Sequence, residues 1–222
     1  MSLRVVVAMI SFALLARGGG ATADAGEWPF RMVTVEGRVE MQIPGATAWS
    51  AGKLRAELQA GSSARTLRGR LTLETPSDQE VRLAGLSKVS LLDGNPDVPT
   101  PVRIDAGMVW VAVSPGTPSN NQLEIQGKAA SVLVSGGGVS VALGQDGAML
   151  VRVYHGAATA TGPGTDRRWS RPLGEGEELL VAAAGVPGPA QKIVPKEAEA
   201  EWVKWNEDQD HAGGYGSPTP PK

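Results

Sequence analysis

The chain has 222 residues, no cysteine, and 21 basic against 23 acidic side chains, a net charge of −2. That balance, without clustered Lys and Arg, excludes a nucleic-acid footprint, and the lack of cysteine excludes disulfides and a lipid on an N-terminal Cys. The 29 glycines and 16 prolines lie between valine-rich stretches, a composition of many short strands joined by turns.

In chain order, Arg4 precedes a twelve-residue apolar run, Val5 to Ala16, and Ala21-Thr22-Ala23 then forms an A-x-A cleavage pattern before Asp24. Residues 1–23 therefore read as a secretory signal peptide, since the run is short of the ~20 residues that cross a bilayer. Its removal takes Arg4 and Arg17 and leaves a net charge near −4. No later apolar run reaches spanning length, so no membrane span is expected after cleavage, and the mature protein is expected in the periplasm or outside the cell.

Residues 24–185 read as one β domain. Val33-x-Val35 and Val39-x-Met41-x-Ile43 alternate on either side of Glu36-Gly37, which reads as a hairpin turn. Residues 50–70 fit either a short helix around Leu54–Leu58 or two strands. Period-two segments follow at 71–73, 81–83, 89–91, 102–104, 109–113, 123–125, 132–134, 139–143, 149–153 and 179–181. A Gly-containing turn is expected at Asp105-Ala106-Gly107, a β-turn or bulge between strands at Gly136–Gly138, and a strand end at His155-Gly156. About a dozen short strands predict an all-β fold, a sandwich or a β-solenoid-like stack, with one C-terminal helix. Loops are expected at 114–121 and 161–172. Residues 186–212 read as a linker and an amphipathic helix. Pro195 suits its first position, and Ala198, Trp202 and Trp205 share one face. Residues 213–222 read as a disordered tail.

Within residues ~70–185 the rhythm of strands and turns resembles the FecR-type domain, an exported bacterial β-rich module. The resemblance rests on Leu73-Glu74-Thr75, Gln79 to Leu83 and Ser87 to Leu91. It continues through Val102 to Val111 with its central Gly107, then Val139 to Leu143, Asp146-Gly147, Val151 to Gly156, and the turn Leu173-Gly174-Glu175-Gly176-Glu177. Where the family has Gly-Thr in the central turn, this chain has Ser135-Gly136-Gly137-Gly138. The regulators that name the family carry a cytoplasmic anti-sigma segment and a transmembrane helix before the domain, and neither is read here. The resemblance implies the fold, the compartment and action through protein contacts, not sigma-factor signalling.

No catalytic, cofactor-binding or metal-binding residue is assigned, and no enzyme activity is expected. His155 stands alone at a strand end, and His211 beside Asp208 and Asp210 reads as a solvated helix end. Gly136–Gly138 lacks the Lys-Ser/Thr of a phosphate loop, and two histidines without cysteine leave few nucleophile–base pairs. The six tryptophans carry more information. Trp110, between Val109 and Val111, reads as buried on both sheet faces. Trp202 and Trp205 read as docking the helix or as a partner contact. Trp169, set among Arg167, Arg168 and Arg171, reads as either a partner contact or a side chain folded back on the sheet. The expected function is a non-catalytic interaction or scaffold module of the bacterial envelope, working on an envelope protein. The alternative is a module that binds carbohydrate, such as a glycan or peptidoglycan.

Overall fold

The computed structural model describes residues 29–95, 97–164 and 168–216. The expected signal peptide, Trp28, Arg167 and residues 217–222 of the expected tail lie outside them. Among the described residues the fold is all-β with one α-helix. The strands are β1 (Phe30–Gln42), β2 (Ser50–Ala51), β3 (Glu57–Leu58), β4 (Ser63–Glu74), β5 (Glu80–Leu83), β6 (Lys88–Leu91) and β7 (Thr100–Val113). They continue with β8 (Leu123–Gln126), β9 (Ser131–Leu143), β10 (Met149–Gly162), β11 (Trp169–Gly174), β12 (Glu177–Val181) and β13 (Gln191–Lys192). A short 3-10 turn at Glu197–Glu199 leads into α1 (Ala200–Gly213). This helix is not long and apolar enough to cross a membrane.

Five strands are 12 to 14 residues long, and each changes partner midway. β4 pairs with β6 through Ser63–Arg65 and with β5 through Leu71–Glu74. β7 pairs with β6 and β8 through its first half and with β5 and β9 through its second. β10 pairs with β12 before Tyr154 and with β11 after Gly156. All pairings are antiparallel except β7 with β8. The strands form one thirteen-stranded sheet, and its apolar side chains enclose a continuous core.

The bends are glycines. Gly37 pairs with Gly69, and Gly137 with Gly156, each with φ between 73° and 98°. A Cβ on Gly69 would fall on the Glu36 carbonyl, and one on Gly137 on the His155 carbonyl. Only a residue without a side chain allows both the positive φ and the close approach. Gly107 bends β7 in the same way, with φ 79°. The turns expected at Glu36-Gly37 and Asp105–Gly107 and the strand end expected at His155-Gly156 are therefore corrected: each is a bend inside one long strand. Gly136–Gly138, read as a turn or a bulge, lies inside β9 beside a register shift, so the bulge holds and the turn does not. By contrast, Asp146-Gly147 is a true hairpin turn, with Asp146 Oδ1 accepting the Ala148 N–H at 3.0 Å.

Of the two readings of residues 50–70, strands hold: residues 50–58 form two two-residue strands and no helix. Four other expectations change. The loop expected at 161–172 is the end of β10 and most of β11 among its described residues. β13 lies in the segment read as a linker. The helix is entered through the 3-10 turn rather than at Pro195, so Ala198 is exposed and off the docking face. Residues 213–216 are ordered rather than part of the expected tail, because Gly214 closes the helix with φ 77° and Tyr215 beyond it is buried.

The register sets two opposite faces. Leu71, Leu83, Val109, Val141, Val151 and Leu179 stand in one cross-strand row, all fully buried in the core. One residue along, Thr72, Arg82, Trp110, Ser140, Arg152 and Glu178 form a second row on the opposite face. α1 lies over that row.

Gly137→Ala is expected to cost about 3 kcal/mol or more, from positive φ plus backbone overlap. Gly116→Ala, also at positive φ (79°) but with nothing within 4 Å of the added Cβ, is expected to cost about 1 kcal/mol. Urea unfolding of the two variants checks the difference.

Candidate functional site

Among the described residues, a dense set of ionisable and aromatic groups lies between the polar row and α1. Three helix residues at i, i+4 and i+8 are buried: Trp202, Asn206 and Asp210. Two of the three are polar, so the helix is seated as much by hydrogen bonds as by apolar burial.

Asp210 is 1% exposed and takes three donors. Arg82 Nη1 donates to Oδ1 at 2.6 Å. Trp110 Nε1 donates to Oδ2 at 2.9 Å, and His155 Nε2 faces the same oxygen at 2.7 Å. The Gly138 N–H donates to His155 Nδ1 at 3.0 Å, so Nδ1 carries no proton and Nε2 bears the N–H turned toward Asp210. Gly138 is a glycine for space, since a Cβ there would run into His155, Asp210 and Trp110. A register shift between Val153 and His155 brings the imidazole to this face beside Tyr154, whose ring stacks on Trp110 at 4.7 Å.

Arg82, 1% exposed, also donates to Glu80 at 2.6 Å and to the Asn206 carbonyl at 3.1 Å. Its guanidinium lies between the rings of Trp205 (6.0 Å) and Tyr215 (5.8 Å). The Tyr215 hydroxyl donates to the Asp78 carbonyl at 2.5 Å, tying down the chain past the helix. Further along the row, Arg152 pairs with Glu178 at 2.8 Å and with Glu199 at the helix entry. Arg70 reaches Glu201 at 2.8 Å and lies 4.8 Å over the Trp205 ring. Three arginines of the sheet thus hold carboxylates of α1 and its leading turn.

Burial alone would push the Glu178 carboxyl up. Hydrogen bonds from Arg152 and Gln191, with the Arg152 charge, outweigh it and hold Glu178 below the usual carboxylate range. Burial also works against the Arg152 guanidinium, but its bonds to Glu178 and Glu199 bind the proton more firmly. Burial pushes the Tyr154 and Tyr215 phenols up.

This arrangement fixes a helix rather than presenting reactive groups. Both His155 nitrogens and both Asp210 oxygens are engaged inside the protein. A groove of about 620 Å³ runs past the edge of His155, between Tyr154 and the Lys204, Asp208 and His211 side of the helix. Asp208 and His211 are exposed while Asp210 turns inward, so these three groups do not converge on a metal-sized space.

Of the residues expected at a partner contact, Trp202 is buried and Trp205 half-buried under α1, their rings stacked at 5.5 Å. Trp169 is half-buried, packs on the core and over Gly162, and donates its indole N–H to the Gly185 carbonyl at 2.8 Å. Arg168 and Arg171 are exposed. The site does not bring the Trp169 group to the Trp202–Trp205 group. Arg82, Arg152, Asn206 and Asp210 were missed in the sequence. Their signal was a Trp-x3-Asn-x3-Asp stripe on the helix and arginines at the outward positions of alternating strands.

No protein-family model matches the chain, and no curated protein matches it. Two crystal structures of a candidate anti-sigma factor from Parabacteroides distasonis are similar to it. The first has a TM-score of 0.49 and 17% identity over 63% of this chain and 62% of that one. The second has a TM-score of 0.49 and 16% identity over 68% and 72%. The chain thus spans less than two thirds of the first structure's length.

Asp210→Ala leaves a buried guanidinium without its carboxylate and is expected to cost about 3–5 kcal/mol in urea unfolding. Asp208→Ala, which removes only an exposed pair with Lys204, is expected to cost under about 0.5 kcal/mol. Stability also carries a pH signature. Glu178 has a depressed folded pKa, so its contribution is complete above the usual value of 4.5 and is lost as pH falls through the lower folded value. Tyr215 is raised above its usual 10.0, so its contribution is complete below pH 10 and is lost as pH rises beyond that. Unfolding free energies measured across pH are expected to show both losses, with Glu178→Gln removing the Glu178 part of the acid loss and Tyr215→Phe its part of the alkaline one.

Proposed function

We propose that this chain is an exported, non-catalytic protein-interaction or scaffold module of the bacterial envelope, of the FecR type, acting in the periplasm or outside the cell. The observation that carries the reading is the closed state of the central cluster. His155 and Asp210 are the pair most suited to acid–base chemistry, and each spends its polar side-chain atoms on partners inside the protein, Asp210 holding α1 against the sheet. Support also comes from the strand-and-turn resemblance over residues ~70–185, and from the apolar run and A-x-A pattern ahead of Asp24. Trp169, on which a glycan-binding role would rest, spends its indole N–H on Gly185 and its ring on the core.

Two measurements test the reading. N-terminal sequencing of the protein recovered from envelope fractions is expected to begin near Asp24; an intact Met1 would contradict export. Crosslinking in intact cells is expected to yield a discrete complex with one envelope protein, whereas retention on peptidoglycan with no protein adduct would contradict the module's proposed partner.

A further inference from the structure

The polar row under α1 is built to grip an acidic helix, and α1 fills it incompletely. Arg70, Arg82 and Arg152 present three guanidinium groups toward the helix side, with the rings of Trp110 and Tyr154 between them. α1 and its leading turn answer with Glu199, Glu201 and Asp210. Yet Arg82 Nη2, in a side chain only 1% exposed, has no hydrogen-bond partner. Trp202 Nε1 on the facing helix is also buried without one. A buried donor left unmade weakens an interface, and more so when it is charged. α1 adds few apolar contacts in return, Trp202, Trp205 and Val203 being its main ones.

We propose that this face is the module's docking surface, that α1 occupies it as a releasable placeholder, and that the true occupant is an acidic amphipathic helix of a partner protein. The inference rests on the interaction-module reading and names its surface. The occupant's chemistry follows from the cradle: carboxylates for the three arginines, an aromatic side chain beside Trp205's position, and an added acceptor for Arg82 Nη2. α1 holds the site through its tether, because a short linker sets an effective concentration of order mM that a free helix must exceed. The exposed Glu201 end of the Arg70 pair is screened by salt, which favours release, while the buried Arg82–Asp210 pair is screened much less.

The probe is a fluorescein-labelled peptide of residues 197–216, titrated by anisotropy into the full chain and into its Asp210→Asn and Glu199→Gln variants. Asp210→Asn is expected to bind the peptide at least tenfold more tightly than the unaltered chain, with Glu199→Gln between them, and binding is expected to weaken as salt rises. The same peptide carrying Asp210→Asn is expected to bind at least tenfold more weakly. Hydrogen exchange on the unaltered chain supplies a readout that does not depend on a variant's folding. The amides of α1 are expected to exchange at least tenfold faster than those of β7 and β9 and to speed up with salt. Equal peptide binding by all three proteins, or α1 amides as slow as β9 at every salt, would overturn the proposal. So would a dimer of Asp210→Asn that excludes the peptide, which would assign the cradle to exchange of α1 between copies. If the peptide fails to bind while the unaltered chain still crosslinks to an envelope protein, only the cradle is refuted and the interaction-module reading stands.

Discussion

One buried carboxylate organises the outer face of this protein. Asp210 accepts from Arg82, Trp110 and His155, which come from three strands that are not consecutive in the chain. A carboxylate in such a place is costly unless charge and hydrogen bonds both compensate it, and here a guanidinium, an indole and an imidazole do so together. Its backbone carbonyl also accepts the Tyr215 N–H at 2.9 Å. The same residue therefore ends the helix and seats it.

The register of the sheet makes this possible. Arg82, Trp110, Ser140, Arg152 and Glu178 stand in one line because β5, β7, β9, β10 and β12 pair side by side with these residues directly opposite one another. The opposite row of leucines and valines closes the core. The core and the helix cradle are thus two faces of one register, and a slip of a single residue would exchange them.

Much of this was legible in the sequence. Alternating Val and Leu announced an all-β chain, Trp110 between two valines announced a strand buried on both faces, and Trp202 announced the helix's docking side. The glycines misled for a physical reason. Alternation on each side of Gly37, Gly107 or Gly137 looks the same whether the chain turns back or bends and continues. At Gly37 and Gly137 the outcome is decided by a second glycine across the ladder, Gly69 and Gly156, and at Gly107 by close approach of Leu86 and Ser87; none of these contacts is local. The candidate site was harder to read. Asp210 sits in a charged stretch beside Asp208 and His211, where solvation is the ordinary expectation. Its burial depends on Arg82, 128 residues away in sequence. The polar spacing Trp202, Asn206, Asp210 was present but does not register as an amphipathic stripe, because two of its three members are hydrophilic.

The central claim is that the Arg82–Asp210 pair holds the C-terminal helix on the sheet, and a double-mutant cycle measures it most directly. Arg82→Leu and Asp210→Leu are made singly and together, and each is unfolded in urea. The account expects each single change to be costly and the double change to cost far less than their sum, with a coupling of about 2–3 kcal/mol. Additive costs, within about 0.5 kcal/mol, would contradict it.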